Sequence, residues 1–234
     1  RADPGRRRDL SGRLDPLRHR FEKRVRLGNF GRARIGVCAS KRHWHTAVEA
    51  FVPYSGSEIG APPPPIATSG RINRAGVSFL YLASDIHTAV AEVRPHPGHL
   101  VSTGQFRPRK DLSVADLSRV DLAAFVGRDD LLDQYVFLRT IERDLSTPII
   151  PEERTRYLLG QLVADVVRQM GFDGIAYRSS VATGVNTCFF DPNALEYIEE
   201  SAAVQRVLAL NYKFSDAEVV TGSNREEYFP RDSP

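Results

Sequence analysis

The chain is 234 residues long, 41% of them apolar, and carries 32 Lys/Arg against 29 Asp/Glu for a formal net charge of +3. That much apolar material supports a packed core, which excludes wholesale disorder, and no apolar run approaches the roughly 20 residues a bilayer-spanning helix needs. Two widely separated cysteines, Cys38 and Cys188, with no secretory leader ahead of them, argue against a disulfide scaffold and for a reducing compartment, so the cytoplasm is the expected location.

The basic charge sits at one end. Residues 1–42 hold 14 Lys/Arg against 4 Asp/Glu, leaving 18 against 25 for the remainder. We therefore divide the chain into a basic N-terminal arm over 1–30, a body over 31–215 and a loose tail over 216–234. Pro16 interrupts any long helix in the arm. With no aromatic or helix-turn-helix pattern beside its arginines, the arm reads as a solvated segment, and direct nucleic-acid binding is not expected.

Along the body, residues 33–37 read as the first strand. The proline run at 61–65 has too few N–H groups for helix or central strand and reads as a rigid extended loop. Residues 77–83 form a β-prone run ending at Ser84, a good N-cap, and 85–94 a short helix stopped by Pro95 and carrying Glu92. A strand over 100–106 and a charged helix over 129–145 follow. Pro151 and Gly171 bracket a helix over 151–170, whose core stripe is expected at Leu158, Leu162, Val166 and Met170, widened by Leu159 and Val163. Short β segments are expected at 174–177, 186–190 and 204–214. Strands and helices do not alternate regularly, so the fold is expected to be α+β, with a mixed or largely antiparallel sheet and flanking helices.

Several chemistries lack their residues. The chain has neither the Gly-x-Gly-x-x-Gly fingerprint nor a Gly-x-x-x-x-Gly-Lys-Ser/Thr loop, and no Gly-x-Ser-x-Gly elbow. Cys38, His43 and His45 have a metal-ligand flavour, but no second pair of ligands follows at a suitable spacing, so no metal is expected.

One stretch is more specific. Gly70-Arg71-x-Asn73 with Gly76 is followed by Leu80-Tyr81-x-Ala83-Ser84, then Thr88-Ala89 and Ala91-Glu92. A second block, Gly171-Phe172-Asp173-Gly174-Ile175-x-Tyr177-x-Ser179-Ser180, has Asn186 and Phe190 beyond it. Together they resemble the RES family, named for an arginine, a glutamate and a serine, over roughly residues 32–214. The resemblance implies a core like that of ADP-ribosyltransferases and a toxin of a bacterial toxin–antitoxin pair. NAD would be consumed as substrate, with no resident cofactor. The products implied are nicotinamide and ADP-ribose transferred to phosphate or water, making the enzyme an NAD phosphorylase or glycohydrolase; transfer to a protein side chain is the alternative. The partner implied is a helix-turn-helix, Xre-type antitoxin that blocks the pocket. By carry-over, Arg71, Tyr81, Glu92 and Ser179 are the catalytic candidates, with the Ser179–Ser180 doublet leaving the serine open. Arg34, Asn73 and Asn186 are candidate substrate-binding residues, and His87 a further polar candidate.

These residue types suit that chemistry on their own terms. Nicotinamide leaves as a neutral molecule from a cationic pyridinium, so a fixed carboxylate such as Glu92 stabilises the oxocarbenium-like ribose left behind. A forked guanidinium such as Arg71 suits a diphosphate, Tyr81 offers a ring to stack on, and Ser179 a hydroxyl to donate. The scheme requires Arg71 and Glu92 to face one cavity. Against it stands a non-catalytic binding module acting through the basic arm.

Overall fold

The computed structural model describes residues 18–26, 28–42, 49–150, 153, 157–217 and 219. Their order is α1 (Arg18–Phe21), β1 (Glu22–Val25), β2 (Phe30–Ile35), β3 (Ala39–Arg42), β4 (Glu49–Val52), β5 (Leu80–Ala83), α2 (Ile86–Glu92), β6 (Leu100–Pro108), β7 (Leu112–Asp116), α3 (Leu132–Ser146), α4 (Tyr157–Gln169), β8 (Gly174–Arg178), β9 (Val185–Phe189) and β10 (Leu195–Arg206). An eight-stranded sheet runs β1-β7-β8-β9-β5-β2-β6-β10, while β3 and β4 form a separate hairpin. β7 and β8 run parallel, and every other neighbouring pair is antiparallel. The α+β class with a largely antiparallel sheet is thus as expected.

The sheet has a seam. β2 pairs with β6 through six residues but touches β5 only at Gly31↔Ala83. Gly31 is required there, because a Cβ would lie 2.9 Å from the backbone of Asp85, where α2 begins. The seam divides the sheet into β1-β7-β8-β9-β5 and β2-β6-β10.

Each face of the sheet buries a core. Under α3 and α4 lie Ile72, Leu138, Ile141, Val163, Val167 and Ile175. On the opposite face Leu80, Leu82, Phe106, Val114, Phe189 and Leu195 pack together. Alternation along a strand explains the division: Ile175 and Tyr177 of β8 face the helices while Ala176 faces away. Among the described residues, no helix is long and apolar enough to cross a membrane.

Several sequence expectations need correction. The N-cap of α2 is Asp85, whose side chain accepts the Thr88 N–H at 2.7 Å; Ser84 instead donates to Asp85. On α4 the buried residues are Gly160, Gln161, Val163, Ala164, Val166 and Val167, whereas Leu158 is 68% and Leu162 46% exposed. The expected stripe is therefore right only where it passes through Val163, Val166 and Met170. Close approach decides this, since a Cβ on Gly160 would sit 2.3 Å from the Arg71 carbonyl, so α4 turns its glycine side inward. The start expected for this helix, 151–156, lies largely outside the described residues. The first strand of the body is Phe30–Ile35 and the last Leu195–Arg206, with no regular structure at 207–217. The described end of the basic arm is built into the sheet, because β1 pairs with β7.

Candidate active site

A cleft of about 210 Å³ opens at the seam, lined by Arg32 of β2, Tyr81 of β5, Glu92 of α2, Tyr177 of β8 and Asn186 of β9, among others. The single Gly31–Ala83 pairing leaves room for it. Beside the gap Arg32 takes over the bonding: its Nη1 donates to the Tyr81 carbonyl at 2.7 Å and its Nε to the Ile59 carbonyl at 3.1 Å. Burial pulls the Arg32 pKa down, yet a guanidinium starts so high that it stays charged.

Glu92 closes the opposite wall. Its Oε1 accepts from the Ser179 hydroxyl and from the Asn186 amide, each at 2.6 Å. Oε2 has no protein donor among the described residues. The serine is itself held, since Ser179 Oγ accepts the backbone N–H groups of Val181 at 3.2 Å and Ala182 at 3.0 Å, leaving its proton for Glu92. Those amides belong to the turn between β8 and β9, and Ser179, not Ser180, is the residue brought to Glu92. Two donors on one oxygen fix the carboxylate's rotation.

Tyr81 lines the cleft, but its hydroxyl is committed: it donates to Asn73 Oδ1 at 2.7 Å and accepts the Ile72 N–H at 3.1 Å. Burial raises its pKa well above the usual tyrosine range, so the phenol stays protonated. Tyr177 is raised likewise, by burial first and then by nearby Cys188 and Glu92, with Arg71 opposing. Burial also pushes the Cys188 thiol up, so it does not supply a thiolate.

The remaining candidates lie elsewhere. Arg71 donates from Nη1 to the Asp144 carbonyl at 2.9 Å and from Nη2 to the Thr147 carbonyl at 3.0 Å, capping the C-terminal end of α3. It is absent from the cleft lining, so the requirement that Arg71 and Glu92 face one cavity is not met and Arg32 is the cation beside Glu92 there, although the charge of Arg71 reaches Tyr177 as that of Glu92 does. Asn73 spends its amide on the carbonyls of Thr68, Arg74 and Val77, which makes it a loop organiser with no group left for a ligand. Arg34 stacks over the Tyr54 ring, 4.2 Å from its centre, and donates to the Glu58 carbonyl, away from the cleft. His87 is exposed on the first turn of α2. Cys38 lies 3.7 Å from Glu58 Oε1, His43 and His45 fall outside the described residues, and no group of three potential metal ligands exists among the described residues. Arg32 is the residue that sequence reasoning missed. The available signal was its place two residues before Arg34 on the same strand.

A family model described as the RES domain matches residues 34–211. No curated protein matches the sequence. Among solved structures, a chain from the crystal structure of the M. tuberculosis MbcT-MbcA toxin-antitoxin complex is similar at 12% identity and a TM-score of 0.42, covering 86% of this chain and 93% of that one. Because the family model spans most of the chain, including Arg71, Tyr81, Glu92 and Ser179, this protein belongs to the RES domain family.

Proposed function

We propose that the protein is a RES-domain toxin that breaks the nicotinamide–ribose bond of NAD and passes ADP-ribose to phosphate or water. The observation that carries this reading is Glu92, pinned at Oε1 by Ser179 and Asn186 in a cleft, with no donor on Oε2 among the described residues. In the reading, the C–N bond electrons leave with nicotinamide. The positive charge left on the ribose meets the fixed carboxylate, whose Oε2 accepts a ribose hydroxyl. An oxygen of phosphate, or of water with loss of one proton to solvent, then forms the new bond at the same carbon.

The cleft of about 210 Å³ is smaller than usual ligand pockets, so it takes the nicotinamide–ribose end of the dinucleotide. The diphosphate then passes Arg32, the cation lining the cleft, whose Nη2 has no protein partner among the described residues. Arg71 acts from behind by setting the loop that carries Ile72 and Asn73, and through them the Tyr81 ring. Family membership also supports a helix-turn-helix antitoxin covering the cleft and a cytoplasmic site of action, where NAD is depleted.

The test is nicotinamide release by the purified chain from NAD, with and without phosphate. Release that Glu92→Gln lowers by at least about 100-fold, the scale of a lost electrostatic stabiliser, is expected. Phosphate dependence marks phosphorolysis, and label on a macromolecule marks protein ADP-ribosylation. No nicotinamide under any condition, with antitoxin absent, would sink the reading.

A further inference from the structure

The strand expected at 204–214 is realised only in its first part. Val207 still holds the ladder beyond β10, donating to the His99 carbonyl at 2.9 Å and accepting the Gly98 N–H at 2.8 Å. Past it the chain reads Leu-Ala-Leu-Asn-Tyr-Lys-Phe over 208–214, outside any strand. Leu208 is 83%, Leu210 38%, Tyr212 74% and Phe214 93% exposed. A spacing of two places all four on one side of an extended chain, the pattern of a half-buried strand. One exposed leucine is ordinary, but four large apolar residues aligned in water mark a contact surface.

The sheet itself supplies a place for such a strand. One of its edges, β1, is four residues long with Glu22, Lys23 and Arg24 in it, a blunt edge that resists pairing. The other, β10, is twelve residues long, and among the described residues no strand pairs with the side turned away from β6. An irregularity between Ile198 and Ala203 divides it into two short stretches, which restricts what can pair there.

We propose that two copies of this chain join at this end, each 208–214 segment completing its strand along the free edge of the other copy's β10. Donor and acceptor are continuous on one chain, so an antiparallel exchange about a two-fold axis satisfies both and closes at two copies. The charges agree, because β10 presents Glu199 and Glu200 while Lys213 is the one charged residue of the segment. The four side chains leave on the order of 500 Å² in water, so two copies bury about 1,000 Å², the threshold for a specific interface, before any backbone pairing. The proposal is independent of the catalytic reading.

Sedimentation velocity of the full chain, from about 1 to 100 µM, tests it in the range where interfaces of this size associate. A monomer–dimer equilibrium is expected, with amides of 208–214 and 195–198 exchanging slowly only in the dimer. Replacing Tyr212→Ser and Phe214→Ser together should weaken the dimer at least about tenfold. Both residues are exposed in the single copy, so its fold is untouched, and an unchanged circular dichroism spectrum verifies this. A monomer at every concentration would mean that the segment serves a different protein and would overturn the proposal. So would a dimer indifferent to the double substitution, or assembly that continues beyond two.

Discussion

Glu92 depends on two donors that share one oxygen, and that arrangement sets how substitutions there combine. If Glu92 acts as proposed, Ser179→Ala and Asn186→Ala should each lower kcat by about 10- to 100-fold with little change in KM, because each would loosen a group whose effect lies mainly in the transition state. The double variant should fall short of the product of the two, since a carboxylate already free to rotate loses little more; full additivity in a double-mutant cycle would show that they act separately. Asp85 governs the same helix from its other end. Its pKa is lowered, chiefly by the Thr88 N–H, with Ser84 and the Thr88 hydroxyl adding to the effect. A carboxylate lowered in the folded state contributes stability above its unfolded value, near 3.9, and loses it as pH falls through the folded value. Asp85→Ala should therefore cost about 1 kcal/mol at neutral pH in denaturant titrations, and the difference from the parent should shrink below about pH 4.

At the scale of elements, α4 and the Arg71 loop touch so closely that Gly160 leaves no room for a side chain. Alanine is the better helix former by about 1 kcal/mol, but the contact with the Arg71 carbonyl outweighs this. Gly160→Ala should destabilise the protein by about 1–3 kcal/mol in thermal or chemical unfolding, and slow nicotinamide release by displacing the loop behind Tyr81. A stabilised Gly160→Ala variant would contradict the packing described. The same contact shows what a sequence can convey about a helix. Its existence, and its stop at Gly171, follow from local residues, and α4 does end there, Gly171 taking a φ of 78°. Which side turns inward was not legible, because a glycine pressed on a distant carbonyl outranks three leucines. The site divides likewise: Tyr81, Glu92 and Ser179 sit in motifs dense enough to single out, and the structure gathers them with Asn186. Arg32 was hidden in a basic stretch that resembles a solvated surface. Its meaning comes from pairing between strands roughly 50 residues apart, which no local pattern encodes.

For the whole molecule, the joint between β2 and β5 matters more than any single wall of the cleft. Backbone pairing across the seam is one contact with the Arg32 side chain beside it, and the two leaves are otherwise joined by side-chain packing, such as Leu80 and Leu82 with Phe106 and Leu195 and the Phe30 ring on that of Phe189. The seam is the line of the sheet with the fewest backbone hydrogen bonds, the feature that favours local opening. Whatever lodges in it ties the leaves together. Amides at 31–33 and 81–83 should accordingly exchange faster than those of β6, and NAD at about 100 times its dissociation constant, added to Glu92→Gln protein, should slow them by about 100-fold. Equal exchange with and without the dinucleotide would place the ligand elsewhere. On the proposed reading, a partner that spanned both leaves would cover the cleft and tie them together as the dinucleotide does.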